Sequence, residues 1–168
     1  SFVIDFHKIS GVPLLSSALI LNDKEQELLV ETFGNDSGNY IFHEYEYSSF
    51  DQGVFSLQCG RRANAIKAWF ALKHLGFEGL EKRIDHLFNL AQIAKKEVQN
   101  HENLELLYEV NFLNICFRYI PNKNLSEEEL NQFNYNLRQE ILKEGNFMVN
   151  HSIIDNKRFI RLVTVNHL

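Results

Sequence analysis

The chain has 168 residues, 45% of them hydrophobic, with 22 acidic against 17 basic side chains and a formal charge of -5. That size and apolar fraction suit one substantial core, a single domain or slightly more, and the scattered Lys and Arg lack the basic stripe that a nucleic-acid partner would need. Cys59 and Cys116 lie too far apart for a zinc site or redox pair, which points to a reducing cytoplasm, and the seven histidines contain no His-Glu-x-x-His, so no metal is expected.

Ser1-Phe-Val-Ile-Asp5 reads as a strand already under way, which predicts a portion of a longer chain. Residues 14–21 read as a second buried strand. The apolar run Val12 to Leu21 is too short to cross a bilayer, and no transmembrane helix or secretory leader is expected. The connection between the strands carries His7, Lys8, Gly11 and Pro13. A lysine ending a buried strand is costly to desolvate unless it is paired or loses its proton, and the neutral amine is a nucleophile toward an aldehyde. A strand-end lysine reaching solvent is the plainer reading of the same spacing.

Residues 34–53 hold five Tyr or Phe among Gly, Asn, Ser, Asp and Glu, the composition of a long ordered loop. From Arg61 the period becomes helical, with Ile66, Trp69, Phe70 and Lys73, and Gly76 is placed to stop that helix. A second helix follows, its apolar stripe formed by Leu80, Ile84, Leu87, Phe88, Ala91, Ala94 and Val98. Strands are predicted at 105–109 and 114–120, then a helix begun by the capping-box pair Ser126 and Glu129 and ended by Gly145. Two last strands, 147–153 and 159–165, flank a turn at Asp155-Asn156. The order predicts an α/β small domain with a mostly antiparallel sheet covered by helices on one face.

Several blocks, in order, carry a resemblance. They are Ser1-Phe-Val-Ile-Asp5-Phe-His7-Lys8, Gly11-Val-Pro-Leu-Leu-Ser-Ser-Ala18, Ser56-Leu-Gln-Cys-Gly-Arg-Arg62 with Lys67-Ala-Trp69, and Asn114-Ile-Cys-Phe-Arg-Tyr-Ile-Pro121. Together they are similar to the C-terminal portion of group II pyridoxal-phosphate-dependent amino-acid decarboxylases, nearest the glutamate and cysteine sulfinate branch. The resemblance implies the aspartate-aminotransferase-like α/β fold (fold type I). Residues 1–75 would belong to the large cofactor-binding domain, with an active-site loop near 34–53, and 76–168 would form the connecting helix and small domain.

By the same resemblance Lys8 would hold pyridoxal 5'-phosphate as a Schiff base, with His7 and Asp5 near its phosphate. Many relatives have Asn-Pro-His-Lys where this chain has Asp-Phe-His-Lys, so Asp5 offers no amide hydrogen. Tyr40, in Gly38-Asn-Tyr40-Ile-Phe42, resembles the loop tyrosine that returns a proton, with Tyr45 and Tyr47 as neighbours. Arg161 resembles the arginine that grips the substrate carboxylate, a planar guanidinium suiting two parallel bonds; pairing across the sheet is its structural alternative. The implied activity is decarboxylation of an acidic L-amino acid by a cytoplasmic homodimer with its active site near the subunit interface. Diaminobutyrate or an aromatic amino acid, or a non-catalytic module on the same scaffold, are the alternatives.

Overall fold

A computed structural model describes residues 1–22, 27–34, 43, 45–51, 53–58 and 60–165. The chain divides into two compact units, Ser1–His7 with Val12–Lys73, and Lys8–Gly11 with His74–Leu168.

The first unit opens with strands β1 (Phe2–Asp5) and β2 (Ser17–Ile20), paired antiparallel with Phe2 opposite Ile20 and Asp5 opposite Ser17. The second strand starts at Ser17 rather than at residue 14 for a hydrogen-bonding reason. Lys67 Nζ donates to the carbonyls of Leu14 and Leu15, each at 2.9 Å, and Ser16 is tied to His7, so these backbone groups are engaged before the ladder begins. A short helix not anticipated from the pattern, α1 (Glu27–Phe33), closes with the Gly34 amide on the Val30 carbonyl at 2.7 Å. In the expected long loop the described residues form two single 3₁₀ turns, Ser48–Phe50 and Gly53–Phe55.

Helix α2 runs from Asn64 to Asn100 and is broken at Gly76, whose φ of 63° and ψ of -178° no helix contains. Two helical patterns separated by this glycine are what the sequence shows, and the break lies where it predicts.

The second unit is a four-stranded antiparallel sheet in the order β3 (Leu104–Leu106), β4 (Asn114–Tyr119), β6 (Lys157–Val163), β5 (Asn150–Ile154). Ile115 stands opposite Leu162 and Phe117 opposite Ile160. That face meets α2, whose Leu87, Ala91 and Val98 form the core with Val110, Leu113 and Ile115. β3 is shorter than its sequence suggests because Val110 and Leu113, just after it, turn into this core. β5 begins late because Arg138 Nε takes the Val149 carbonyl at 3.1 Å. Asp155 and Asn156, with φ of 50° and 60°, make the tight turn between β5 and β6, the two-residue hairpin these residue types favour.

Helix α3 (Glu127–Glu144) starts at the Ser126 capping box and stops at Gly145, φ 73°. The Ser126 backbone and hydroxyl hydrogen bonds lower the Glu129 pKa. Buried Asn134 on α3 accepts from the Tyr119 amide at 2.8 Å and donates to the Tyr119 carbonyl at 2.9 Å, doing for the end of β4 what a further strand would do. Arg118 bridges Glu105 and Glu127 at 2.5 Å each, joining β3, β4 and the start of α3. Burial alone would lower the pKa of this guanidinium, but its two carboxylate partners outweigh that and raise it. No helix among the described residues is long and apolar enough to cross a membrane.

Candidate active site

Between β1 and β2 the chain makes an excursion that carries the candidate cofactor lysine. In the first unit the excursion is closed by Val12 N–H on the Phe6 carbonyl at 3.1 Å and His7 N–H on the Ser16 carbonyl at 3.2 Å. In the second unit the Gly11 amide donates to the Lys8 carbonyl at 3.1 Å and closes a turn over residues 8–11. Gly11 has φ 69°, a conformation that side chains with a Cβ resist. Ile9 packs against the core and Ser10 is buried, while Lys8 between them and His7 stays exposed. Arg83, from α2, donates through Nε to the Ile9 carbonyl at 3.1 Å. Its guanidinium lies so close to Gly11 that a Cβ there would sit 2.5 Å from Nη2.

His7 and Asp5 are held at the foot of the hairpin. His7 Nδ1 lies 2.9 Å from the Ser16 carbonyl and 3.3 Å from the Ser16 amide. One tautomer donates from Nδ1 and keeps Nε2 as an acceptor; the other accepts the Ser16 amide and presents Nε2–H as a donor. Asp5 Oδ1 accepts from the Ser17 hydroxyl at 2.6 Å, which ties the end of β1 to the start of β2.

Arg161 lies on β6 opposite Cys116 and Asn150. Its Nε and Nη2 both donate to Asn114 Oδ1, at 3.1 and 3.0 Å, so the cross-sheet pairing considered from the sequence is present. One amide oxygen leaves most of the guanidinium's five donors for another acceptor. The side chain lines an open pocket of about 380 Å³ with Arg138, Met148, Val149, Asn150, Leu162 and Val163. Burial pushes the neighbouring Cys116 thiol up in pKa, against the pull of the Arg161 charge. Tyr40 lies outside the described residues, and Tyr45 and Tyr47 are exposed in the first unit.

Of the described sequence-predicted residues, Asp5 and His7 lie with the two serines in the first unit, while Lys8 on its turn and, separately, Arg161 with Asn114 lie in the second. Comparison with known proteins gives these clusters a context. The family model for the pyridoxal-dependent decarboxylase conserved domain matches residues 1–120. The chain belongs to this family.

Among individual relatives, human cysteine sulfinic acid decarboxylase is 31% identical over 170 residues, covering 95% of the chain and 34% of that protein. Mouse acidic amino acid decarboxylase GADL1 is also 31% identical, with 95% of the chain and 30% of that protein covered. The crystal structure of mouse CSAD superposes with a TM-score of 0.85 at 29% identity, over 98% of the chain and 35% of that structure. Oryza sativa TDC with PLP and tryptamine, 20% identical, shares the fold with a TM-score of 0.83 over 96% of this chain and 33% of that one. The chain therefore spans about a third of the length of the curated relatives it matches. Its fold is that part of the α/β fold of pyridoxal-dependent group II decarboxylases.

The donor set fits the cofactor that the family name implies. An exposed primary amine at Lys8 follows directly on an imidazole whose Nδ1 is already engaged, leaving Nε2 to serve a ligand. Sequence reasoning missed Arg83, Lys67, Ser16 and Arg138 around these clusters. Arg83 and Arg138 sit in helical patterns as ordinary polar-face residues, and no local signal marks their partners in the excursion and the pocket.

Proposed function

We propose that the whole protein is a pyridoxal-phosphate-dependent carboxy-lyase that converts an acidic L-amino acid, such as glutamate, aspartate or cysteine sulfinate, to its amine and carbon dioxide. The observation that carries this reading is the exposed Lys8 on a turn pinned at both ends, in a chain whose relatives at 31% identity are named for acidic substrates. Pyridoxal phosphate, when bound, supplies the electron sink for the pair released as carbon dioxide leaves.

The chain's own residues do the rest. Lys8 provides the primary amine that holds the aldehyde. His7, its Nδ1 engaged by the Ser16 backbone, presents its Nε2 edge toward the phosphate. Asp5, near the same phosphate, acts by fixing the hairpin through Ser17, because a carboxylate has no hydrogen to give an anion. Arg161 grips the substrate carboxylate with the donors that Asn114 leaves unused, and Asn114 sets the plane of the guanidinium. Tyr40 returns a proton to the carbon that has lost its carboxylate. Residues 1–75 belong to the large domain and 76–168 to the connecting helix and small domain of a cytoplasmic homodimer whose active site lies near the subunit interface.

Lys8→Ala in the whole protein tests the assignment. Wild type should take up pyridoxal phosphate with an absorbance band near the visible edge and release carbon dioxide from acidic amino acids. The variant should lose both, and a variant that kept the band would overturn the role of Lys8.

A further inference from the structure

Lysine is a flexible four-carbon stem, and the turn beneath Lys8 must be rigid if the amine is to meet its partner in one geometry. Three ties hold that turn within the second unit. Ile9 is packed on the core, the Gly11 amide closes onto the Lys8 carbonyl, and Arg83 reaches from a helix 74 residues away to the Ile9 carbonyl. Of these three, the third is made by a charged side chain. The guanidinium also lies against residue 11, where a Cβ would sit 2.5 Å from Nη2 and 2.6 Å from Cζ, although the φ of 69° already favours glycine there. A hydrogen bond from a charged donor to a carbonyl is stronger than a neutral one. Misplacing a reacting group by about 1 Å can cost on the order of 100-fold in rate.

We infer that Arg83 is a positioning residue for Lys8: by donating to the Ile9 carbonyl and lying against Gly11, it fixes the backbone from which the amine extends. The inference rests on Lys8 being the cofactor lysine. Arg83 touches neither substrate nor cofactor in this role, and its effect travels through the turn.

The test uses the whole protein and pyridoxal phosphate. Arg83→Met should weaken cofactor affinity about tenfold, the scale of one lost charge-assisted hydrogen bond, and should shift the pH titration of the near-visible band. Arg83→Lys, which can still donate to the Ile9 carbonyl, should recover most of the affinity. In the cofactor-free protein, amide exchange at Gly11 should be faster in Arg83→Met than in wild type. Wild-type affinity, band titration and Gly11 exchange in Arg83→Met would overturn the inference and leave Lys8 untouched. A wild-type protein that forms no band, by contrast, removes the Lys8 assignment and this inference with it. Should Arg83→Met fail to fold, Arg83→Gln, which keeps a polar side chain but offers no charged donor, decides: it should load the cofactor more weakly than Arg83→Lys and show faster Gly11 exchange than wild type, and wild-type loading and exchange in Arg83→Gln overturn the inference.

Discussion

In the second unit Leu87, Ala91 and Ile115 are wholly covered, at 0% exposure, whereas in the first unit Phe2, Trp69 and Phe70 remain 61%, 56% and 61% exposed. The difference shows two ways of holding residues in place. The sheet and helices of the second unit close a core from their own apolar faces. The hairpin of the first unit is held more by polar ties, Lys67 to the Leu14 and Leu15 carbonyls, His7 to Ser16 and Ser17 to Asp5. Each such tie contributes about 1 kcal/mol net, somewhat more when a charge takes part. A hairpin held this way is vulnerable to single changes.

Leu87→Ala breaks the better-packed side of this contrast and should have the largest effect. Removing a wholly buried leucine costs about 2–5 kcal/mol, read as a lower midpoint in urea unfolding. A loss under about 1 kcal/mol would mean that the core can collapse around the cavity. Lys67→Met should cost less, about 1–2 kcal/mol for exposed charge-assisted hydrogen bonds. Its signature is local, with faster amide exchange at Ser16 and Val12 and no change along β4 and β6. Faster exchange in those strands as well would show that the hairpin and the sheet are not held independently.

The smallest effect sharpens the contrast through pH. His151 on β5 accepts from Arg158 Nη1 at 2.8 Å. Burial first, then the charges of Arg158 and Arg138, hold its pKa below the ordinary 6.5. The unfolded chain therefore binds this proton first as the pH falls. The contribution of neutral His151 to stability is intact above 6.5 and is lost as pH drops below it through the folded value. Urea midpoints measured at about pH 7.5 and about pH 5 should differ less in His151→Gln than in wild type. An unchanged difference would assign the pH dependence to other groups.

Much of this molecule was legible along the chain. Ser126 and Glu129 form the capping box their spacing announces, Gly76 and Gly145 take the positive φ that ends their helices, and Asp155-Asn156 make the hairpin turn. Each is a local preference of one or a few residues. The boundaries that moved did so for distant reasons. β2 starts late because of Lys67, and β5 because of Arg138. Among the candidate residues, Lys8, His7 and Arg161 stood out by motif, while distant groups bonded to Arg161 or to the turn after Lys8 did not. Asn114 lies 47 residues from Arg161, and Arg83 lies 74 from Ile9.

Sequence alone determined the order and kind of most elements and the family, because periodicity, caps and motifs are properties of neighbouring residues. Only the tertiary structure decided which carbonyl each arginine and lysine would reach, and so how firmly the turn under Lys8 is held. That choice depends on long side chains meeting backbone groups brought close by packing, for which the linear pattern carries no signal.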